Sequence, residues 1–124
     1  MNLNTLSREV IGAALAVHRE LGPGLLESVY QNCLLYELRE RDLKAASEVG
    51  LPIHYRGQKV FESGLRIDLL VEDRLIVELK SVDKIQPVHF KQVLTYLRLA
   101  NKPLGLLINF NEVLLKDGIT RVAN

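Results

Sequence analysis

The sequence predicts an α/β fold built on a mixed central sheet, and three patterns in its 124 residues carry that reading. Apolar residues at helical spacing fill the N-terminal third and return between Pro87 and Ala100. Between these stretches lie aliphatic, β-branched segments with the alternation of strands. Near the C-terminus, Leu104-Gly105-Leu106-Leu107-Ile108-Asn109-Phe110 is a nearly continuous apolar run, as in a strand covered on both sides.

Leu6, Val10, Ile11, Ala14, Leu15, Val17, His18 and Leu21 place a first helix at about 6–21, with Thr5 or Asn4 as its cap. Gly22-Pro23-Gly24 stops it. A second helix runs from about Leu25 to Arg41, with Leu26, Val29, Tyr30, Cys33, Leu34 and Leu38 as its inner stripe. Val49, Leu51, Ile53 and Tyr55 alternate in a strand that Pro52 confines to an edge or interrupts. Arg56-Gly57-Gln58 turns into a short strand at Lys59–Glu62, which Ser63-Gly64 separates from a central hairpin. Pro87 opens a third helix with Phe90, Val93, Leu94 and Leu97 facing inward, and Asn101-Lys102-Pro103 breaks it. After the apolar run, Val113–Lys116 and Ile119–Val122 around Asp117-Gly118 predict a small terminal hairpin. No repeat or linker divides the chain, so residues 1–124 read as one domain of order α-α-β-β-β-α-β plus that hairpin.

Composition narrows the function classes. A chain of this length, 48% hydrophobic and 25% charged, is large enough for a real core and ordinary for a globular protein. No apolar run approaches the roughly 20 residues of a membrane span. The absence of a basic-then-apolar leader, with Cys33 as the lone cysteine, points to a reducing cytoplasm. His18, His54 and His89 are scattered and no CxxC occurs, which argues against zinc. Net charge is +1 and the pI about 7.9, below the value of ~9 expected of a broad nucleic-acid surface. Arg39, Arg41, Lys84, Lys91, Arg98 and Lys102 read first as solvated helix faces.

The chemistry sits in the central hairpin. Leu65–Val71 and Arg74–Lys80 flank a Glu72-Asp73 turn. Ile67, Leu69 and Val71 share an apolar face with Leu75, Val77 and Leu79, which leaves Asp68, Glu78 and Lys80 together on the other. A two-residue turn would set Asp68 opposite Val77 and mix the faces. A shift of one residue sets Asp68 opposite Glu78, and requires a three-residue loop around Asp73 or a bulge. Two carboxylates facing each other repel unless they share a cation, so the pattern looks like a metal site. Elsewhere, Glu27 and Tyr30 lie one helical turn apart, as do Gln92 and Tyr96. Taken alone, Glu27 is a dipole-favoured helix-start residue, and Gln92 with Tyr96 a polar helix rim.

Asp68 followed by Glu78-x-Lys80 resembles the PD-(D/E)XK nuclease superfamily, and Gln92-x-x-x-Tyr96 resembles the helix motif of its RecB-like branch. Gly24-x-x-Glu27-x-x-Tyr30 resembles the motif that names the GxxExxY family, as does the closing Gly105–Phe110 run. The resemblance spans about Ser7 to Val122. Ile67 stands where the superfamily name implies proline, as is common in RecB-like members. The resemblance implies a restriction-endonuclease-like α-β-β-β-α-β core and a Mg²⁺- or Mn²⁺-dependent nuclease acting on nucleic acid, DNA ahead of RNA. Asp68, Glu78 and the Leu79 carbonyl would hold the cation, with Glu27 joining directly or through water. Lys80 would orient the attacking water and offset charge on the phosphorane, and Gln92 and Tyr96 would steady Lys80 or the phosphate backbone. The rival expectation is a nuclease-fold module for nucleic-acid or protein binding with little catalysis. Small superfamily members often work as dimers, so a homodimer is also expected.

Overall fold

A computed structural model describes residues 1–124. Helices α1 (Leu3–Leu21) and α2 (Glu27–Glu40) precede strands β1 (Ala45–Tyr55), β2 (Gln58–Val71) and β3 (Leu75–Lys80). Helix α3 (Pro87–Ala100), strand β4 (Leu104–Asn109), a short 3-10 turn (Leu115–Gly118) and strand β5 (Ile119–Ala123) follow. The five strands form one sheet in the order β1-β2-β3-β4-β5. Only β3 and β4 run parallel, because α3 carries the chain back between them, and every other pair is antiparallel. The mixed α/β architecture matches the expectation.

The sheet divides the core. Helices α1 and α2 cover one face, where Leu6, Val10, Leu34 and Leu38 pack on Leu69, Val77, Leu79 and Ile108. Helix α3 covers the other, where Val93, Tyr96 and Leu97 meet Ile76 and Leu107. Every residue of β4 is buried, as its apolar run requires. No helix is long and apolar enough to cross a membrane.

Several local expectations need correction. Asn2, not Thr5 or Asn4, caps α1: its Oδ1 accepts the Thr5 N–H at 2.8 Å. On α2 only Tyr30, Leu34 and Leu38 are buried, while Leu26 in the N-cap position is 74% exposed. A four-residue spacing makes a narrow stripe, and α2 needs no wider one. On α3, Tyr96 is buried with Val93 and Leu97, whereas Phe90 and Leu94 are only half-buried. Ser63-Gly64 does not break the chain, because β2 runs unbroken through it. The irregularity appears as a bulge instead: pairing moves from Leu51↔Leu65 to Ile53↔Phe61, so two steps on β1 face four on β2. Pro52, at that point on the edge strand, has no N–H to give a ladder bond. Lastly, the terminal hairpin is absent. Val113 and Leu114 are exposed, and Ile119–Ala123 pairs with β4, whose main chain needs an outer partner.

The central hairpin has the anticipated register, Leu69↔Val77 and Val71↔Leu75, around a Glu72-Asp73-Arg74 loop. Glu72 and Asp73 take φ of 53° and 54°, and the Arg74 N–H closes the turn on the Val71 carbonyl at 3.0 Å. One face assignment fails: Ile67 joins the α3-side cluster, not that of Leu69 and Val71.

Phe110 ties the α2 layer to the end of β4, stacking on Tyr30 at 4.5 Å between centroids with full burial of both. Phe110→Ala should cost about 3–5 kcal/mol in urea unfolding. A loss below ~1 kcal/mol would show that this stack does not anchor α2.

Candidate active site

The site begins where two strands part. Continued regularly, the β2–β3 ladder would next join Ile67 to Leu79, but it stops at Leu69↔Val77. Beyond it, carboxylates replace main-chain acceptors. The Leu79 N–H donates to Asp68 Oδ2 at 2.8 Å, and the Asp68 N–H donates to Glu78 Oε1 at 3.1 Å. In a regular strand the Asp68 N–H would face β1, because that of Leu69 faces β3. The main chain has therefore rotated at Asp68. On the β1 side the pairing steps from Ser47↔Leu69 to Val49↔Ile67, and Glu48, opposite Asp68, sits in the left-handed region at φ 52°. The same rotation accounts for Ile67 turning to the α3 face.

Each of the two carboxylates thus spends one oxygen on the backbone and keeps the other. A strand residue directs its N–H and C=O to the same edge, so the Leu79 carbonyl also points toward the fork. The neighbouring Lys80 carbonyl, by alternation, faces β4 and accepts from the Phe110 N–H at 2.8 Å.

Helix α3 supplies the next groups. Lys80 Nζ donates to Gln92 Oε1 over a long 3.4 Å, and Gln92 Nε2 donates to the Tyr96 hydroxyl at 3.1 Å. An ammonium only donates, so it fixes which end of the amide faces it, and the Tyr96 hydroxyl keeps its own proton for another acceptor. Lys80 forms no ion pair with Glu27, Asp68 or Glu78.

Glu27, the first residue of α2, approaches from the other layer. Tyr30 positions it: its hydroxyl donates to the Gly22 carbonyl at 2.5 Å and accepts the Leu25 N–H at 3.1 Å. Ser81, just after β3, donates to the Leu25 carbonyl at 2.6 Å and ties this loop to the fork. Asn109, fully buried at the end of β4, holds the strand exit by accepting from the Val82 N–H and donating to the Val82 carbonyl.

The electrostatics show which groups feel one another. Burial, then the charge of Asp68 and a proton shared with it, push the Glu78 carboxyl up to about 9; the backbone N–H of Asp68 and the Lys80 charge oppose this. Glu27 is also raised, by partial desolvation first, with Lys80 lowering and Asp68 raising it. The Tyr96 phenol is raised by desolvation and then by the Glu78 charge. All six side chains therefore belong to one electrostatic neighbourhood, although Glu27 is exposed and hydrogen-bonds to none of the others.

A family model described as the PD-(D/E)XK nuclease superfamily matches residues 4–122. The chain belongs to the PD-(D/E)XK nuclease superfamily. Its mixed five-stranded sheet flanked by three helices is accordingly a restriction-endonuclease-like α/β fold. No curated protein and no solved structure matches the chain.

Within this superfamily fold, Asp68, Glu78 and Lys80 meet at the fork, and Gln92 and Tyr96 reach them from α3. No three carboxylates, histidines or cysteines form a ready-made cation cage. The three concavities of the surface are lined by other residues. Sequence reasoning missed the positioning residues Ser81 and Asn109. A lone asparagine inside the otherwise apolar β4 run was the available signal for the second. Of the basic residues, Arg41 pairs with Glu9 and Glu37, and Lys102 with Asp73, as solvated-face charges do.

Glu78 makes stability pH-dependent. Below its ordinary value of 4.5, folded and unfolded chains are both protonated. Above that, the unfolded carboxyl ionises first, so metal-free stability falls until the folded group ionises near 9. Thermal melts in chelator should decline across this window, and Glu78→Gln should flatten the decline. An unchanged slope in that variant would remove Glu78 as its source.

Proposed function

We propose that the chain is a divalent-metal-dependent nuclease of GxxExxY type, in the RecB-like branch, cleaving phosphodiester bonds in nucleic acid with DNA ahead of RNA. The observation that carries this reading is the fork itself. Asp68 and Glu78 each keep one oxygen clear of the backbone, and burial together with the neighbouring Asp68 charge raises the Glu78 carboxyl, a repulsion that a shared divalent cation would relieve. A donor set of two carboxylates and a carbonyl edge suits Mg²⁺ or Mn²⁺, which fill their remaining positions with waters and phosphate oxygens. Superfamily members generally use divalent metals. Asp68, Glu78 and the Leu79 carbonyl are the proposed ligands, with Glu27 joining directly or through water.

Such a cation supplies Lewis acidity toward the scissile phosphate and acidifies a bound water. The chain's own groups do the remainder. Lys80, free of carboxylate partners, offsets charge that develops on the phosphorane and orients the attacking water. Gln92 holds the ammonium by its carbonyl end, and through its other end holds Tyr96. The Tyr96 hydroxyl, with its proton uncommitted, can donate to a phosphate oxygen. Glu27 accepts a proton from the attacking water more readily for being raised above the ordinary carboxylate range.

Asp68→Ala and Lys80→Ala should each reduce metal-dependent cleavage of labelled DNA and RNA by at least ~100-fold, with circular dichroism unchanged. Cleavage at wild-type rate in both purified variants would defeat the assignment.

The second reading is a nuclease-fold binding module. Its supporting observation is that Glu27 stands apart and no three-carboxylate cage exists. Calorimetric titration with Mn²⁺ separates the two. A catalytic site should bind at millimolar concentration or tighter, with about tenfold loss in Asp68→Asn. Absence of binding in both proteins would favour the module.

A further inference from the structure

The β1–β2 hairpin outgrows the sheet. Strand β2 pairs with β3 only over Leu69–Val71, yet continues back to Gln58, accompanied by β1 alone. Every residue from His54 to Gly64 is exposed. A two-stranded ribbon with neither face covered is marginal in water, so its side chains have a reason other than core formation.

Their chemistry is specific. Across His54–Gly64 the ribbon contains His54, Arg56 and Lys59 against a single carboxylate, Glu62. Tyr55 and Phe61 are each 62% exposed. The Arg56 guanidinium lies 5.5 Å from the Tyr55 ring centroid, stacking a cation on one aromatic face at the ribbon tip. Lys59 touches only the exposed Glu62 at 3.5 Å, a contact weak enough to exchange for a phosphate. Exposed aromatics interleaved with cations form a stacking platform for unpaired bases, whose phosphates the cations can neutralise.

A second copy of the chain is the rival occupant, pairing through the open strand edges. Pro52 and the Glu62-Ser63-Gly64 bulge interrupt those edges midway, which disfavours continuous strand addition. The charge of the ribbon is also complementary to a polyanion. At about 3.3 Å per strand residue, Phe61 lies roughly 20 Å along β2 from Asp68.

We propose that this ribbon is a nucleic-acid arm: Tyr55 and Phe61 stack unpaired bases, Arg56 and Lys59 hold their phosphates, and the strand so held leads along β2 to Asp68. Its destination rests on the nuclease reading, but its binding chemistry does not.

The test is fluorescence anisotropy of a labelled mixed-sequence DNA oligonucleotide, single-stranded or annealed, with the full chain in chelator so that no cleavage occurs. Tighter binding of the single strand is expected. The Tyr55→Ala/Phe61→Ala variant should weaken it by about tenfold or more. Arg56→Gln/Lys59→Gln should lower the salt slope by about 0.7 per charge removed. Cleavage is assayed separately with Mg²⁺ restored, so failure of the nuclease reading and failure of the arm are distinguished. The inference is overturned if wild type binds no oligonucleotide, if arm variants bind like wild type, or if duplex binds more tightly. It is equally overturned if light scattering shows the aromatic variant turning a dimer into a monomer with oligonucleotide binding intact.

Discussion

Main-chain hydrogen bonding between β2 and β3 has to end somewhere, and how it ends determines the rest of the site. A buried N–H left without a partner costs about 1–3 kcal/mol. At the fork the Leu79 and Asp68 N–H groups avoid that cost by donating to carboxylates instead of carbonyls. Satisfying the backbone thus brings the half-buried Asp68 and the buried Glu78 side chains together at the strand ends. The penalty is burial and mutual repulsion, which together raise the Glu78 carboxyl. Structure and chemistry are coupled at this point: what stabilises the strand ends also creates a demand for positive charge.

Both layers of the fold converge on that demand. From one side α3 brings Gln92 and Tyr96 against Lys80. From the other, the Tyr30 hydroxyl and Ser81 set the start of α2, so Glu27 is placed by contacts to the loop and not by contacts of its own. Tyr30 is therefore a positioning residue whose ring is core and whose hydroxyl is scaffold. Asn109 does similar work at the end of β4, fixing the strand exit through both ends of its amide.

The sequence disclosed this site because the hairpin offers only one register that keeps its faces unmixed, and that register sets Asp68 opposite Glu78. Face alternation was enough to find the pair. It was not enough to find the rotation at Asp68, because a left-handed Glu48 and a strand that turns its N–H toward the wrong neighbour leave no periodic trace. For the same reason Ile67 was assigned to the wrong face. Ser63-Gly64 misled in the opposite direction: glycine marks either a break or a bulge, and only the partner strand, with Pro52 opposite, decides between them. The terminal segment failed because local turn chemistry at Asp117-Gly118 competes with a distant requirement, the unpaired edge of β4. Long-range pairing won, as it does when a buried strand needs an outer neighbour.

A net charge of +1 gives little attraction for a polyanionic substrate, and the fork with its three nearby carboxylates makes it locally worse. The two facts fit together if attraction is divided in space. Outside the site, Arg41 is paired with Glu9 and Glu37, and Lys102 with Asp73. The cations of the ribbon face one exposed carboxylate, Glu62, and stand far enough from Asp68 that screening over about 8–10 Å isolates one field from the other. On the proposed function, a strand held there meets a site that repels it until a divalent ion enters. Local cations then serve retention and the metal serves admission, so strand contact alone does not commit the chain to cleavage.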